Sequence, residues 1–359
     1  MEEERAKRLD QTSIPVRSSL PRQATITDVA ALAGVSRGAV SKVFNGTGRI
    51  SEPTAERIRL AAAKLNWRPS VTAAALRRSR TQAVGLVLTR PGEFEIGATS
   101  SLLIAGIESV LAPREYSLLL HLVDPDNDHD DERRAYERLA HLGRVDGVIL
   151  SDSRVNDPRF KLMQTLGLPA VLIGTPWNDG QVPFLDNDPP GAGVDDSVAH
   201  LIELGHKRIG YIGGPEDRVQ AVVRRSTFVD AMAAATLAPV AVVATRYSPG
   251  TAAEETVRLL SLANPPTAIV FGSDTMAIGG IHAARSRGVD VPGQLSVVGF
   301  DGLPIGAWMD PALTTVERDV VQRGRAVAAR LLELLGQSVE SFEIKRPHLV
   351  VRGSTAPLS

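Results

Sequence analysis

The 359-residue chain has 43% hydrophobic and 23% charged residues and no cysteine. That is the make-up of a globular protein, and it excludes disulfides, thiolate metal centres and cysteine nucleophiles. The formal charge of −1 hides an asymmetry, because Arg22–Arg80 holds 11 Lys/Arg against 3 Asp/Glu, the footprint of a polyanion-binding segment on an acidic body.

Met1–Arg22 is polar, mixed in charge and aperiodic, and residues 1–24 read as a disordered tail. It contains no apolar h-region, and no run in the chain reaches the ~18 apolar residues of a membrane span. A soluble cytoplasmic protein of two or three domains is expected, with no membrane partner.

Residues 25–69 read as three short helices. Thr27 is a candidate N-cap with Asp28 in the first turn, Val29, Ala30, Leu32 and Ala33 form one apolar face, and Gly34 ends the helix. Ser36 caps a second helix from Arg37 to about Phe44, with Val40 and Val43 inward. Ala30, Gly34 and Val40 have the spacing of a helix-turn-helix, in which the second helix presents its first residues to base edges. Ser51 caps a third helix with Glu52 and Pro53 in its first turn, and Ile58, Leu60, Ala61 and Leu65 on its buried stripe. Residues 70–80 follow as a linker whose stretch Val71–Leu76 is too short a helix to stand alone in water.

The runs TITDVAALAGVSRGAVSKVFN, RISEPTAERI and LNWRPSVTAAAL resemble the DNA-binding segment of the lactose repressor family of bacterial transcription regulators. The resemblance implies DNA contacts by Thr25, Thr27, Ser36, Arg37, Gly38, Ser41, Lys42 and Asn45, with Arg37 and Gly38 where the family reads bases. It also implies that Leu76 is wedged into the minor groove to kink the duplex. Three positions depart from the family: Ala39 stands where Thr is usual, Gly38 brings no side chain, and Ser70 replaces Asn. They bear on the operator sequence.

Beyond Arg80, short apolar runs alternate with amphipathic helices. Strands are expected at Val84–Leu88, Ser117–Val123, Gly147–Leu150 and Ala170–Ile173, with helices at Ser100–Ala112, Asp130–Leu142 and Pro158–Leu166. Pro183–Asp188 reads as a connection, followed by a helix over Gly193–Leu204. A second set has strands at Arg208–Gly213, Val240–Thr245, Ala268–Gly272 and Ser296–Phe300, and helices at Arg224–Ala235, Thr251–Leu262 and Thr275–Gly288. A strand at Leu313–Val316 and a helix at Asp319–Leu335 are expected to cross back to the first set. The fold class is therefore α/β, a three-helix helix-turn-helix headpiece plus two Rossmann-like lobes with a cleft between them. The family resemblance extends to about Arg352 through HLIELGHKRIGYIGGP, TAIVFGSDTMAIGGIHAARSRGVDVPGQLSVVGFDG and PALTTVERD, and implies lobes of periplasmic-binding-protein type. In residues 81–359 the first lobe takes about 81–187 and 318–342, the second about 188–317 and 343–359.

Polar residues just after parallel strands face such a cleft. Thr89, Arg90 and Phe94 follow the first strand of lobe one, and Ser273, Asp274 and Asp301 follow strands of lobe two. Arg224, Tyr247 and Arg318 complete the candidates. By resemblance, Arg224 and Asp301 bond ligand hydroxyls and Tyr247 offers an aromatic platform, which is carbohydrate-binding chemistry. Helix capping is the competing role for Asp274 and Asp301.

Other chemistry finds little purchase. His206 reads as a helix-end residue, and the acidic stretch around His129 lacks the Gly and Glu of a calcium loop. No G-x-S-x-G, H-E-x-x-H or Walker motif is present. The expectation is a non-enzymatic repressor without cofactor or metal. Its expected partners are a pseudo-palindromic operator, a second copy of the chain and a small-molecule effector, a sugar or oligosaccharide. A transport receptor would share the body but not the basic headpiece, and a glycosidase would show turnover and would not explain that headpiece.

Overall fold

The computed structural model describes residues 24–45, 47–68, 80–89, 97–123, 130–178, 182–185 and 191–358. Residues 1–23 of the expected tail, the linker helix with Leu76, residues 124–129 of the acidic stretch, and Arg90 and Phe94 lie outside them, while Asn45 and Thr89 are described by backbone alone. The chain divides between Ser79 and Arg80 into two compact units.

The first unit is built from α1 (Ile26–Ala33), α2 (Arg37–Asn45) and α3 (Glu52–Lys64). Thr25, not Thr27, caps α1. Thr25 is extended, its backbone N donates to the Asp28 carboxylate at 2.7 Å, and Asp28 N donates to Thr25 Oγ1 at 3.4 Å. Such a reciprocal box contributes about 1 kcal/mol. Gly34, at φ 65, closes the helix in the left-handed conformation. Val29, Ala30, Ala33, Val40, Ile58, Ala61 and Ala62 form the core, and Phe44 meets Trp67 edge-on at 5.2 Å. Leu32 and Leu60, expected on the buried stripes, are 47% and 62% exposed. The three helices approach closely enough for the buried alanines, Ala55 and Ala62 among them, to fill the space instead.

The second unit holds two sheets. Strands β1 (Ala83–Thr89), β2 (Ser117–Val123), β3 (Gly147–Leu150), β4 (Ala170–Ile173) and β5 (Phe184–Leu185) are parallel in the order β2-β1-β3-β4-β5. Strands β6 (Ile209–Gly213), β7 (Ala241–Ala244), β8 (Ala268–Phe271), β9 (Ser296–Asp301), β10 (Thr314–Glu317) and β11 (His348–Val350) run in the order β11-β10-β9-β8-β6-β7, with only β11 antiparallel. The runs GVIL and AIVF of β3 and β8 are buried throughout, as parallel strands covered on both faces must be.

The helices α4 (Ala98–Leu111), α5 (Asp131–His141), α6 (Arg159–Leu166), α7 (Val194–Glu203), α8 (Val219–Ala234), α9 (Pro249–Leu260), α10 (Asp274–Ser286) and α11 (Val320–Leu334) provide that cover. Each sheet has two apolar clusters against it. The two sheets repeat one doubly wound topology, and in each the strand order reverses beside the first strand. That reversal opens a crevice at the strands' C-terminal ends.

Four expectations about the body are corrected. Pro183–Asp188 is not merely a connection, because Phe184–Leu185 pairs with β4. Helix α8 starts at Val219, five residues before Arg224, because Arg218 is extended and its carbonyl accepts from Val222 N at 3.1 Å. The strand expected to cross back stays in the second sheet as β10, held between β9 and the unforeseen β11. Only α11 crosses, and Val320, Val327, Leu331 and Leu332 join the core of the first sheet.

The fourth concerns His206: it does stand at the end of α7, where its backbone N donates to the Leu201 carbonyl at 3.0 Å, but its side chain is 2% exposed and serves the core rather than the helix terminus. Its Nε2 faces Ser296 Oγ at 2.9 Å and the Ala356 carbonyl at 3.1 Å, and Nδ1 faces Thr267 Oγ1 at 3.0 Å. A carbonyl only accepts, so Nε2 carries the proton. The ring ties β8, β9 and the C-terminal segment together, and burial holds its pKa below the usual histidine range.

The return helix needs two glycines. A Cβ on Gly106 of α4 would strike the Val321 carbonyl, and one on Gly324 of α11 would strike the Leu103 carbonyl and sit 3.0 Å from Gly106 Cα. The two helix backbones touch there, which fixes how lobe one receives the segment leaving β10.

Candidate effector cleft and nucleic-acid interface

In the first unit, Ser36 Oγ accepts from Ala39 N at 3.2 Å and opens α2. Arg37, Gly38 and Lys42 are exposed along that helix and Ser41 is half-buried. A Cβ on Gly38 would meet only Ser36 Oγ at 3.7 Å, so packing does not demand glycine there. Lys42 lays its aliphatic stem against Gly48, while Thr25 and Thr27 stand exposed at the start of α1. On α3, Arg59 is paired to Glu52 and Glu56.

In the second unit, Asp301 ends β9 with φ 129, a region L-residues occupy at a cost of order 1–3 kcal/mol. The strain turns a carboxylate into the crevice between the lobes. Asp301 is 8% exposed, Arg318 Nη1 stands 3.6 Å from its Oδ1, and Thr99 of α4 donates a hydrogen bond to it. Burial raises its pKa, opposed by the charges of Arg224 and Arg318.

Arg224, 5% exposed, donates to the Gly272 carbonyl at 2.7 Å and lies 3.6 Å over the Phe300 ring centroid, with Arg318 at 5.7 Å from the same ring. Two guanidiniums and one carboxylate around an aromatic face make a donor-acceptor set suited to hydroxyl groups. Tyr247 is half-buried with its ring on Gly214, where a Cβ would collide with it. Burial raises its hydroxyl pKa, opposed by the charge of Arg224 and reinforced by those of Asp301 and Asp152.

Two candidates hold the frame. Ser273 Oγ caps α10 by accepting from Met276 N at 3.2 Å. Asp274 is fully buried and does not cap the helix: its Oδ2 accepts from Leu303 N at 2.6 Å and its Oδ1 from the Thr315 hydroxyl. Both oxygens are thus spent on the loop behind Asp301 and on β10. Its pKa is pushed up to about 6, by burial and then by the charge of Asp301.

A carboxyl raised in this way binds its proton more tightly folded than unfolded. Its contribution is therefore largest below about pH 4 and is lost as pH rises to about 6, by roughly 2–3 kcal/mol. The stability difference between wild type and Asp274→Asn, from urea unfolding at pH 4.5 and 7.5, is expected to shift by that amount. An unchanged difference would refute the assignment.

Thr99 and Phe300 escaped the sequence reading. Phe300 looked like one more strand residue, though its place before Asp301 was a usable signal. Thr99 had none, because it stands in the first turn of α4 and follows no strand. Loop 151–155, after β3, is held by Arg159. That residue bonds the Ser151 and Asp152 carbonyls at 2.8 and 2.9 Å and pairs with Asp157 at 2.6 Å.

These two units match known proteins in the same order. Residues 25–70 match the family described as bacterial regulatory proteins, lacI family, and residues 198–355 match the periplasmic binding protein-like domain. Over 349 residues the chain is 32% identical to the HTH-type transcriptional repressor PurR of Mannheimia succiniciproducens, covering 94% of this chain and all of that protein. The chain belongs to the lacI family of bacterial regulatory proteins.

As a LacI-family member it is a DNA-binding transcription regulator, and its relatives are regulators rather than enzymes. Its fold is similar to the lac repressor dimer bound to operator and the anti-inducer ONPF, at a TM-score of 0.82 and 26% identity over 93% of this chain and 100% of that one. It is also similar to the regulator CelR in complex with cellobiose, at a TM-score of 0.67 and 29% identity over 92% and 99%. Among the described residues, no helix is long and apolar enough to cross a membrane.

Proposed function

We propose that this LacI-family chain is a cytoplasmic repressor that binds a pseudo-palindromic operator as a homodimer and releases it when a polyhydroxylated small molecule, a sugar or oligosaccharide, occupies the cleft. The observation that carries the reading is the strained Asp301 carboxylate facing Arg224 and Arg318 beside the Phe300 ring. Sugar-bound CelR supports the ligand class.

Asp301, Arg224 and Arg318 bond ligand hydroxyls, Tyr247 and Phe300 supply apolar faces, and Thr89, Arg90 and Phe94 approach from lobe one. Ser273 and Asp274 position the site. On the DNA side, Arg37 and Gly38 lie at base edges, and Thr25, Thr27, Ser36, Ser41, Lys42 and Asn45 make phosphate or base contacts. Leu76 wedges the minor groove.

One headpiece covers one half-site, so two copies are needed. Trp308 and Ile305, 86% and 55% exposed on the short 3₁₀ helix Pro304–Trp308, give the second copy an apolar anchor. Effector binding rearranges the lobes, separates the paired linkers and lowers DNA affinity, an allosteric coupling of order 1–3 kcal/mol.

The test is operator affinity for the DNA upstream of this gene, measured with and without each member of a panel of sugars and nucleobases. A fivefold or greater loss of affinity with a sugar, roughly 1 kcal/mol, is the expected result. Tighter binding with a non-sugar metabolite would replace the reading by corepression, and equal affinity throughout would remove sensing.

A further inference from the structure

Outside the effector site, the lobes touch through main chain. Val155 N donates to the Asp217 carbonyl at 3.0 Å, and Val219 N donates to the Ser153 carbonyl at 3.0 Å. Between them Arg154 and Arg218 face each other as an antiparallel pair. The first partner belongs to the loop after β3 of lobe one, and the second to the entry of α8, the helix that carries Arg224.

We propose that Ser153–Val155 and Asp217–Val219 form a clasp that holds the lobes together without ligand, and that the Glu132 carboxylate is the group on which the clasp depends. In this pattern Arg154 and Arg218 are the closely spaced, non-hydrogen-bonded pair, and like charges directly opposite each other weaken a ladder. Arg154 is neutralised by a two-bond fork from Glu132, at 2.6 and 2.9 Å. The Glu132 side chain is 15% exposed and also faces Arg159 at 3.5 Å. Among the described residues, Arg218 pairs with its neighbour Asp217, whose side chain is 64% exposed.

The buried fork places a carboxylate directly against Arg154. Replacing it by an amide removes that negative charge from beside two guanidiniums that oppose each other across a ladder of two hydrogen bonds. The clasp also sets the entry of α8, and through it the height of Arg224 above the cleft. That a ligand uses the clasp rests on the effector reading above, whereas the clasp itself does not.

The test needs no ligand. In the full-length protein, hydrogen exchange at the Val155 and Val219 amides is expected to be slowed together. Glu132→Gln should speed both by about fivefold or more, leaving the amides of β6 protected. Fast exchange at both amides in the wild type, or no change in Glu132→Gln, overturns the proposal.

Should β6 also lose protection in that variant, a second variant decides. The chain has no cysteine, so Arg154→Cys/Arg218→Cys introduces its only thiols, at a pair whose spacing suits a disulfide. Mild oxidation of the ligand-free protein should cross-link this pair within one chain. Failure to cross-link overturns the clasp even if operator binding and ligand response are as proposed.

Discussion

Arg224→Ala is expected to abolish effector binding, with a loss of affinity of more than about 100-fold, or roughly 3 kcal/mol. The side chain is buried, bonded to the Gly272 carbonyl and stacked over Phe300. On the proposed reading, its removal takes away a ligand donor. It also leaves Asp301 with Arg318 at 3.6 Å as its remaining cationic partner, and stripping a partner from a buried carboxylate is costly. The check is a thermal-shift screen of wild type and variant against the same panel, followed by calorimetry on the hits. Arg224→Lys keeps the charge but loses the flat stacking face, and an intermediate affinity is expected. A full ligand response in Arg224→Ala would move the effector site elsewhere.

Gly324→Val is expected to cost about 3 kcal/mol or more in unfolding stability, the upper end of overpacking in a closed core. The reason is that backbone, not side chain, lies opposite: the Leu103 carbonyl and Gly106 Cα stand where a Cβ would go. Backbone cannot rotate away, so α4 and α11 must separate and open the cluster that holds Val327, Leu331 and Leu332. Gly38→Ala is the matched control. Its Cβ makes only an ordinary contact with Ser36 Oγ at 3.7 Å on a helix, and alanine there is neutral or stabilising by up to about 1 kcal/mol. Urea midpoints for both variants give the comparison, and a Gly324→Val loss below about 0.5 kcal/mol would contradict the packing described.

Where hydrophobic period and burial coincide, the sequence was easily read. Runs such as GVIL and AIVF have no polar face and fit only a covered parallel strand, so both sheets were legible. Leu32 and Leu60 were misread because helix periodicity marks a stripe but does not say how near the neighbouring helix comes. Where alanines touch, leucines at the stripe's edge stay out. The strand β11 was missed because HLV is too short to carry an alternation.

Strand ends were legible, which is why Asp301 and Tyr247 could be expected beside one crevice, whereas Arg224 lies a turn and more inside α8. Their duties were less so. Asp274 and Asp301 look alike in the sequence, yet one spends both oxygens on the frame and the other is turned into the crevice by a strained backbone. No spacing rule encodes that difference. The contact of Thr99 with Asp301, and the pairing of residues 153–155 with 217–219, depend on how two lobes meet. Neither lobe's own pattern carries that information.

The most direct test of the account is fluorescence-anisotropy titration of the full-length protein on the DNA upstream of its gene, over a salt series. The basic headpiece predicts saturable binding whose affinity falls steeply with salt, with a log–log slope of about −0.9 for each phosphate neutralised. It also predicts a stoichiometry of two chains per site. No binding at low salt, or an affinity indifferent to salt, would contradict it.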